Sequence, residues 1–133
     1  MGTNYYLVTN VCAACGRGDD REHIGKSSAG WCFSLHVEPE NGLCDLADWE
    51  RKWSQPGAHI RNEYATDIAP GEMLEIITAR QWKPRDWDSA EERHWLSVNH
   101  AVPGPYGLAR HRIDSHCIGH GPTTYDLVLG EFS

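Results

Sequence analysis

The chain has 133 residues, a net charge of −7 and 40% hydrophobic residues, which suits one globular domain with its own core. The acidic balance argues against a general nucleic-acid coat, because such binding depends on many Lys and Arg side chains that neutralise phosphates. No apolar run is long enough for a signal peptide or a membrane span. We therefore expect a cytoplasmic protein whose five cysteines stay reduced and can act as metal ligands.

The first part of the chain predicts two strands around a metal-binding loop. Residues 5–9 are aromatic and β-branched, which is typical of a strand. Residues 12–31 should form a metal-pinned loop, with a charged tip at residues 19–22. Residues 31–37 alternate with the period of a strand, and the apolar face should enter the core. The apolar set is Trp31, Phe33, Leu35 and Val37, and the polar set is Cys32, Ser34 and His36.

The middle of the chain predicts two helices. Asp45 can cap a helix over residues 45–55, and Pro70 suits the first position of a second helix that fades near residue 83. The buried stripe of the first helix is Leu46, Trp49 and Trp53, and that of the second is Met73, Leu74 and Ile77. Both helices should therefore pack against the strands.

The remaining segments complete a small α+β fold. Residues 59–63 favour a short strand, residues 85–95 have weak helical character, and residues 123–129 favour a final strand. We predict a single domain over residues 1–133. Residues 1–83 should form a zinc-knuckle core of a few antiparallel strands with two helices on one face. Residues 84–133 should form an irregular, histidine-rich extension packed on that core.

Cys12 and Cys15 form a Cys-x-x-Cys pair followed by Gly16. This spacing lets two thiolates face one tetrahedral zinc ion. A redox role would need the pair at the start of a helix in a thioredoxin-like pattern, and the glycines at positions 16 and 18 disfavour a helix there. His23 is the nearest further ligand in the chain. The sequence therefore predicts a structural zinc site.

Several residues could supply the fourth zinc ligand. We take His36 as the fourth ligand, because it lies on the polar face of the predicted strand over residues 31–37. The alternatives are Cys32, His116, Cys117 and His120. The last three belong to a compact C-terminal string that could instead hold a second metal. No catalytic residue and no organic cofactor site is predicted.

Gly25-Lys26-Ser27 has the ending of a phosphate-binding P-loop but not its beginning. A P-loop needs a glycine at position 20, which is Asp20 here, and a helix after the serine. The segment runs instead into a predicted strand. We therefore exclude nucleotide binding at this motif.

Five of the histidines lie between His94 and His120. A metal-dependent nuclease would need a histidine base, metal ligands and a cation for the phosphate. His100, His111, Arg112 and Asp114 supply those residue types. No spacing among them matches a recognised catalytic motif, so we favour imidazoles that bond backbone carbonyls.

Three N-terminal motifs carry a family resemblance. They are Met1-Gly-Thr-Asn-Tyr-Tyr, Cys12-x-x-Cys15-Gly-Arg and His23-Ile-Gly-Lys-Ser-Ser-Ala-Gly-Trp31. Together they resemble a group of small proteins encoded by tailed bacteriophages and prophages, and the likeness extends over most of the chain. The resemblance implies a phage origin and action in the bacterial cytoplasm. It supplies neither an activity nor catalytic residues.

Two function classes follow from these observations. The first is a non-enzymatic, zinc-stabilised phage accessory protein that binds a host or phage macromolecule, with a protein partner favoured over nucleic acid because the chain is acidic. The second is a metal-dependent hydrolase or nuclease that uses the histidine-rich C-terminal segment. We favour the first class, because no catalytic set is recognisable.

Overall fold

The computed structural model describes residues 2–11, 18–28, 32–79, 87–98, 101–104, 106, 108–113 and 124–129, with the backbone alone for 10, 11, 18–20 and 111–113. The strands are β1 (Gly2–Val11), β2 (Gly18–Ser28), β3 (Phe33–His36), β4 (His59–Asn62), β5 (Asp67–Ile68), β6 (Val102–Pro103), β7 (Ala109–Ile113) and β8 (Thr124–Val128). The helices are α1 (Leu46–Trp53), α2 (Pro70–Thr78) and α3 (Ala90–Val98). The protein is therefore α+β, as predicted.

All of these strands belong to one sheet in the order β5-β4-β1-β2-β3-β8-β7-β6. Neighbouring strands are antiparallel except for two pairs, because β8 runs parallel to both β3 and β7. The C-terminal strand thus enters the middle of the sheet. The prediction of an irregular C-terminal extension is wrong for the described part of residues 84–133, which supplies three strands.

The segment predicted as a loop with a charged tip contains a long strand. β2 pairs with β1 from Gly2↔Ser28 to Val11↔Gly18, with a bulge near Tyr5. The charged residues 19–22 therefore lie in a hairpin and not at a loop tip. Pairing with a strongly β-forming partner overrides the weak strand propensity of Gly, Asp and Lys in this segment.

The main core lies on one face of the sheet beneath α1 and α2. The predicted apolar face of β3 is confirmed, since Phe33, Leu35 and Val37 are buried. Trp49 and Trp53 of α1 are buried with them, as the helical spacing predicted. Met73 and Ile77 of α2 also enter this core, and Trp31 lies outside the described residues.

The two predicted helices share one face of the sheet, as expected, and a third helix lies on the other face. Leu96 of α3 packs with Ala101, Ala109 and the half-buried Trp87 and Trp95. Ala109 pairs with Thr124 in the sheet, so the two side chains share a face. Side chains alternate along β8, so Tyr125 and Leu127 face the main core instead. In the described part of the chain, α3 therefore packs on the second face of the sheet at β7.

Asp45 joins α1 to the C-terminal strands. Its carboxylate accepts a hydrogen bond from the Leu46 backbone at 2.7 Å, which confirms the predicted N-cap, and Asp48 completes a capping box. The same carboxylate accepts a bond from the buried Tyr125 hydroxyl at 2.7 Å and pairs with Arg110. Within the described ranges no helix is long and apolar enough to cross a membrane.

Candidate functional site

Two histidines on neighbouring strands form the centre of the candidate site. The imidazole rings of His23 on β2 and His36 on β3 have centroids 5.9 Å apart. A ring nitrogen of His23, Nε2, lies 2.8 Å from the Asn4 side-chain oxygen, and His36 Nδ1 lies 3.1 Å from the His23 backbone oxygen. These bonds fix the orientation of both rings.

A cavity of about 460 Å³ opens beside the two imidazoles. This volume is in the range of ligand pockets. Aromatic, charged and aliphatic side chains complete its wall: Tyr6, Arg21, Glu22, Glu38, Leu43 and Trp49. The pocket lies beside the end of β3, which pairs with β2 through Ser34 and Leu35, while β2 continues along β1. We call this space the histidine pocket.

The indole of Trp49 holds the floor of the histidine pocket in place. Its Nε1–H donates to the His36 backbone oxygen at 2.7 Å, and the side chain is fully buried. Glu38, at the start of the turn after β3, places a carboxylate oxygen 3.8 Å from His36 Nε2. The pocket is therefore built on strands and a helix, which position its groups more precisely than loops would.

Arg21 forms the cationic wall of the pocket. Its guanidinium carbon lies 3.6 Å above the centre of the Tyr6 ring, the geometry of a cation–π contact. Tyr6 also lies against His23, with ring centroids 5.3 Å apart. This stack of Arg21, Tyr6 and His23 follows from the register, because Tyr6 pairs with His23 and Val8 with Arg21.

The surroundings of His23 keep its imidazole uncharged at neutral pH. Burial is the main cause that lowers its pKa to about 4, and the neighbouring His36 adds to the effect. A hydrogen bond to the Gly25 backbone opposes the shift, while Arg21 and Lys26 lower the pKa further. A neutral imidazole can both donate and accept a hydrogen bond, and the contacts of His23 with the Asn4 side chain and the Gly25 backbone use this capacity.

The predicted zinc ligands are only partly described. His23 and His36 lie together, but Cys12 and Cys15 lie outside the described residues, so the four-residue site stays a prediction. The β1–β2 register pairs Tyr6 with His23 and Val11 with Gly18. At about 3.3 Å per residue, His23 is roughly 16 Å along the hairpin from the strand end that precedes Cys12. This separation favours a role for His23 apart from an ion on that cysteine pair.

Within the described ranges, no group of three or more His, Cys, Asp or Glu side chains could hold a metal ion. Of the alternative ligands, Cys32 is buried, and residues 116–120 lie outside the description. Gly25 and the following two residues lie in β2, as the exclusion of a P-loop requires. Zinc binding thus stays a prediction from ligand spacing.

The face of the sheet beneath α3 carries a buried polar row. Neighbouring strands place Asn4, Lys26, Ser34 and Asp126 in register across β1, β2, β3 and β8. Asn4, Ser34 and Asp126 are buried. A buried polar group costs free energy unless it is hydrogen-bonded. The buried polar row therefore depends on hydrogen bonds within the fold, and His36 continues it along β3.

The nuclease set is mostly beyond the described part. His100 and Asp114 lie outside it, and only the backbone of His111 and Arg112 is described. His111 occupies the position on β7 that pairs with Asp126. The backbone of one predicted nuclease residue is therefore in register with the buried polar row.

Sequence reasoning missed the groups that complete the histidine pocket. Arg21 was assigned to a charged loop tip, and neither Tyr6 nor Asn4 carried a recognisable signal. Arg21 and His23 alternate as residues on one face of a strand do, but Glu22 between them is charged as well. Only the pairing with β1 shows which side chains share a face.

Comparison with models of protein families, with curated proteins and with solved structures finds no match for this chain.

Proposed function

We propose that this protein is a zinc-stabilised accessory protein of a tailed bacteriophage, and that it acts as a binding module for a host or phage macromolecule in the bacterial cytoplasm. The histidine pocket is its recognition site, and a protein is its partner. The phage origin rests on the resemblance of the N-terminal motifs.

One observation carries the binding role. The pocket of about 460 Å³ combines two imidazoles with held orientations, two aromatic side chains and an exposed guanidinium. Convergent polar groups in a concave, partly aromatic pocket are the usual marks of a binding site. The net charge of −7 favours a protein over a polyanionic nucleic acid.

The zinc ion has a stabilising role in this proposal. Cys12 and Cys15 supply two thiolates at the spacing of a zinc knuckle. The separation between His23 and the end of β1 favours further ligands other than His23 and His36. Structural zinc contributes folding free energy directly, so the ion would secure the hairpin that also carries Tyr6, Arg21 and His23.

Affinity capture from a bacterial lysate tests the binding role. The immobilised bait is the wild type, the pocket variant Arg21→Ala or the control Arg51→Ala, whose arginine is exposed on α1 and lines a different cavity. The proposal expects a protein that the wild type and Arg51→Ala retain and Arg21→Ala loses. Equal capture by all three baits, or pocket-dependent capture of nucleic acid alone, contradicts it.

The alternative function is a metal-dependent hydrolase or nuclease. The observation that favours it is the pairing of His111 with the buried Asp126 in the sheet. Incubation with DNA, RNA and simple phosphodiesters plus zinc, magnesium or manganese tests this function. Metal-dependent cleavage that is lost in His100→Ala or His111→Ala, with the fold intact by circular dichroism, would replace the binding module with the enzyme.

A further inference from the structure

Arg21 differs from the other arginines whose side chains the structure describes. Arg51, Arg61, Arg93 and Arg110 each lie within ion-pair distance of a carboxylate, on Asp48, Asp67, Asp88 and Asp45 respectively. No such carboxylate accompanies Arg21 among the described residues. Its guanidinium is instead exposed and stacked on Tyr6. In a chain with 19 acidic residues, this leaves one oriented cation at the pocket wall.

The contact with Tyr6 holds the guanidinium at the pocket wall, with its carbon 3.6 Å from the ring centre. A guanidinium presents its N–H donors in one plane. That arrangement matches the two oxygens of a carboxylate, which guanidinium groups bind in a bidentate manner. The contact with Tyr6 also reduces the conformational freedom that binding would otherwise remove.

The other charges of the pocket select a singly charged ligand. Glu22 is neutralised by Lys52, whose ammonium lies 2.6 Å from its carboxylate. Glu38 also lines the pocket and adds a negative charge, with a carboxylate oxygen 3.8 Å from His36 Nε2. Arg21 is the cation that remains for a ligand, and a ligand with a single negative charge suits it. A phosphate carries more negative charge and would be repelled more strongly by Glu38.

We propose that the histidine pocket binds a single carboxylate of a protein partner, with Arg21 as the residue that pairs with it and the imidazoles of His23 and His36 beside it. This inference rests on the proposed binding function and names its ligand class. The carboxylate is the side chain of an Asp or Glu residue or a chain terminus on the partner. The rest of the acidic surface then limits binding to partners that present one such group without a long run of negative charge.

Titration with small probes, followed by NMR, tests the ligand class. Sodium acetate, acetamide and sodium phosphate are added separately at constant pH and ionic strength, and the signals of Arg21 Nε–H and the Tyr6 ring are recorded. We expect saturable shifts with acetate and none with acetamide or phosphate. Arg21→Gln should weaken acetate binding about tenfold or more, the effect of losing one charge-assisted pair. The matched control Arg51→Gln should bind acetate as the wild type does.

Each other outcome overturns a distinct claim. Saturable shifts with acetamide or phosphate but not with acetate would leave the histidine pocket as a binding site and overturn the carboxylate assignment. Acetate binding that survives in Arg21→Gln would overturn the role of Arg21. If no probe shifts either signal while lysate capture still depends on Arg21, the binding function stands and the carboxylate inference is wrong. If capture is also independent of Arg21, both are wrong.

Discussion

Replacement of Asp45 by alanine tests how the C-terminal strands are joined to the first helix. The carboxylate caps α1 and accepts a hydrogen bond from the buried Tyr125 hydroxyl at 2.7 Å. Loss of an N-cap costs about 1 kcal/mol, and a buried hydroxyl left without its acceptor costs roughly 1–3 kcal/mol. The ion pair with the partly exposed Arg110 adds at most about 1 kcal/mol. Asp45→Ala should therefore lower the free energy of unfolding by roughly 2–5 kcal/mol.

Urea unfolding followed by tryptophan fluorescence measures this loss, and Tyr125→Phe supplies the matched background. Burial raises the pKa of Tyr125 to about 12, so the hydroxyl is a neutral donor at pH 7. Once that hydroxyl is absent, Asp45→Ala should lower the free energy of unfolding by roughly 1–3 kcal/mol less than it does in the wild type. A loss below about 1 kcal/mol in the wild type, or equal losses in both backgrounds, would refute the reasoning.

Three further predictions concern the core, the pocket and the metal. Trp49→Ala should lower the free energy of unfolding by about 3–5 kcal/mol, since the indole is fully buried; urea unfolding with a loss under about 1 kcal/mol would show that the site relaxes around the cavity. The folded-state pKa of His23, about 4, lies below its ordinary value of 6.5, so the unfolded chain takes up a proton first as pH falls. The contribution of His23 to the free energy of unfolding should have its full value above pH 6.5 and decrease as the pH falls towards 4. In His23→Gln the free energy of unfolding should depend less on pH over this range, and an unchanged slope would contradict the assignment. Cys12→Ser or Cys15→Ser, or a strong chelator, should release zinc and lower the melting temperature; a Cys12→Ser protein with unchanged zinc content and melting temperature would remove the zinc proposal.

Local patterns predicted those elements whose burial follows a clear period. The alternation in β3 and the spacing of Trp49 and Trp53 in α1 identified core residues that the structure confirms. The cap at Asp45 was also correct. These signals are visible in the sequence because one face of each element is apolar and the other is polar.

The sequence did not predict β2 and β7, because their own residues carry no clear strand signal and their stability comes from pairing with neighbouring strands. β2 contains two Gly, two Asp and two Ser residues, and β7 pairs with β6 and β8. Strand propensity depends strongly on such neighbours. The same limit applies to the histidine pocket: His23 and His36 were singled out from their residue type, whereas Arg21 and Tyr6 join them only through the register.

The most direct test of the account is NMR mapping of the partner surface. The protein recovered by lysate capture is added to the labelled chain, and shifted side-chain signals are compared between the histidine pocket and the exposed apolar residues Val98, Val102 and Tyr106. The account predicts that shifts concentrate on Tyr6, Arg21 and His23 and disappear with Arg21→Ala. Shifts concentrated on Val98, Val102 and Tyr106, with the pocket signals unchanged, would contradict it.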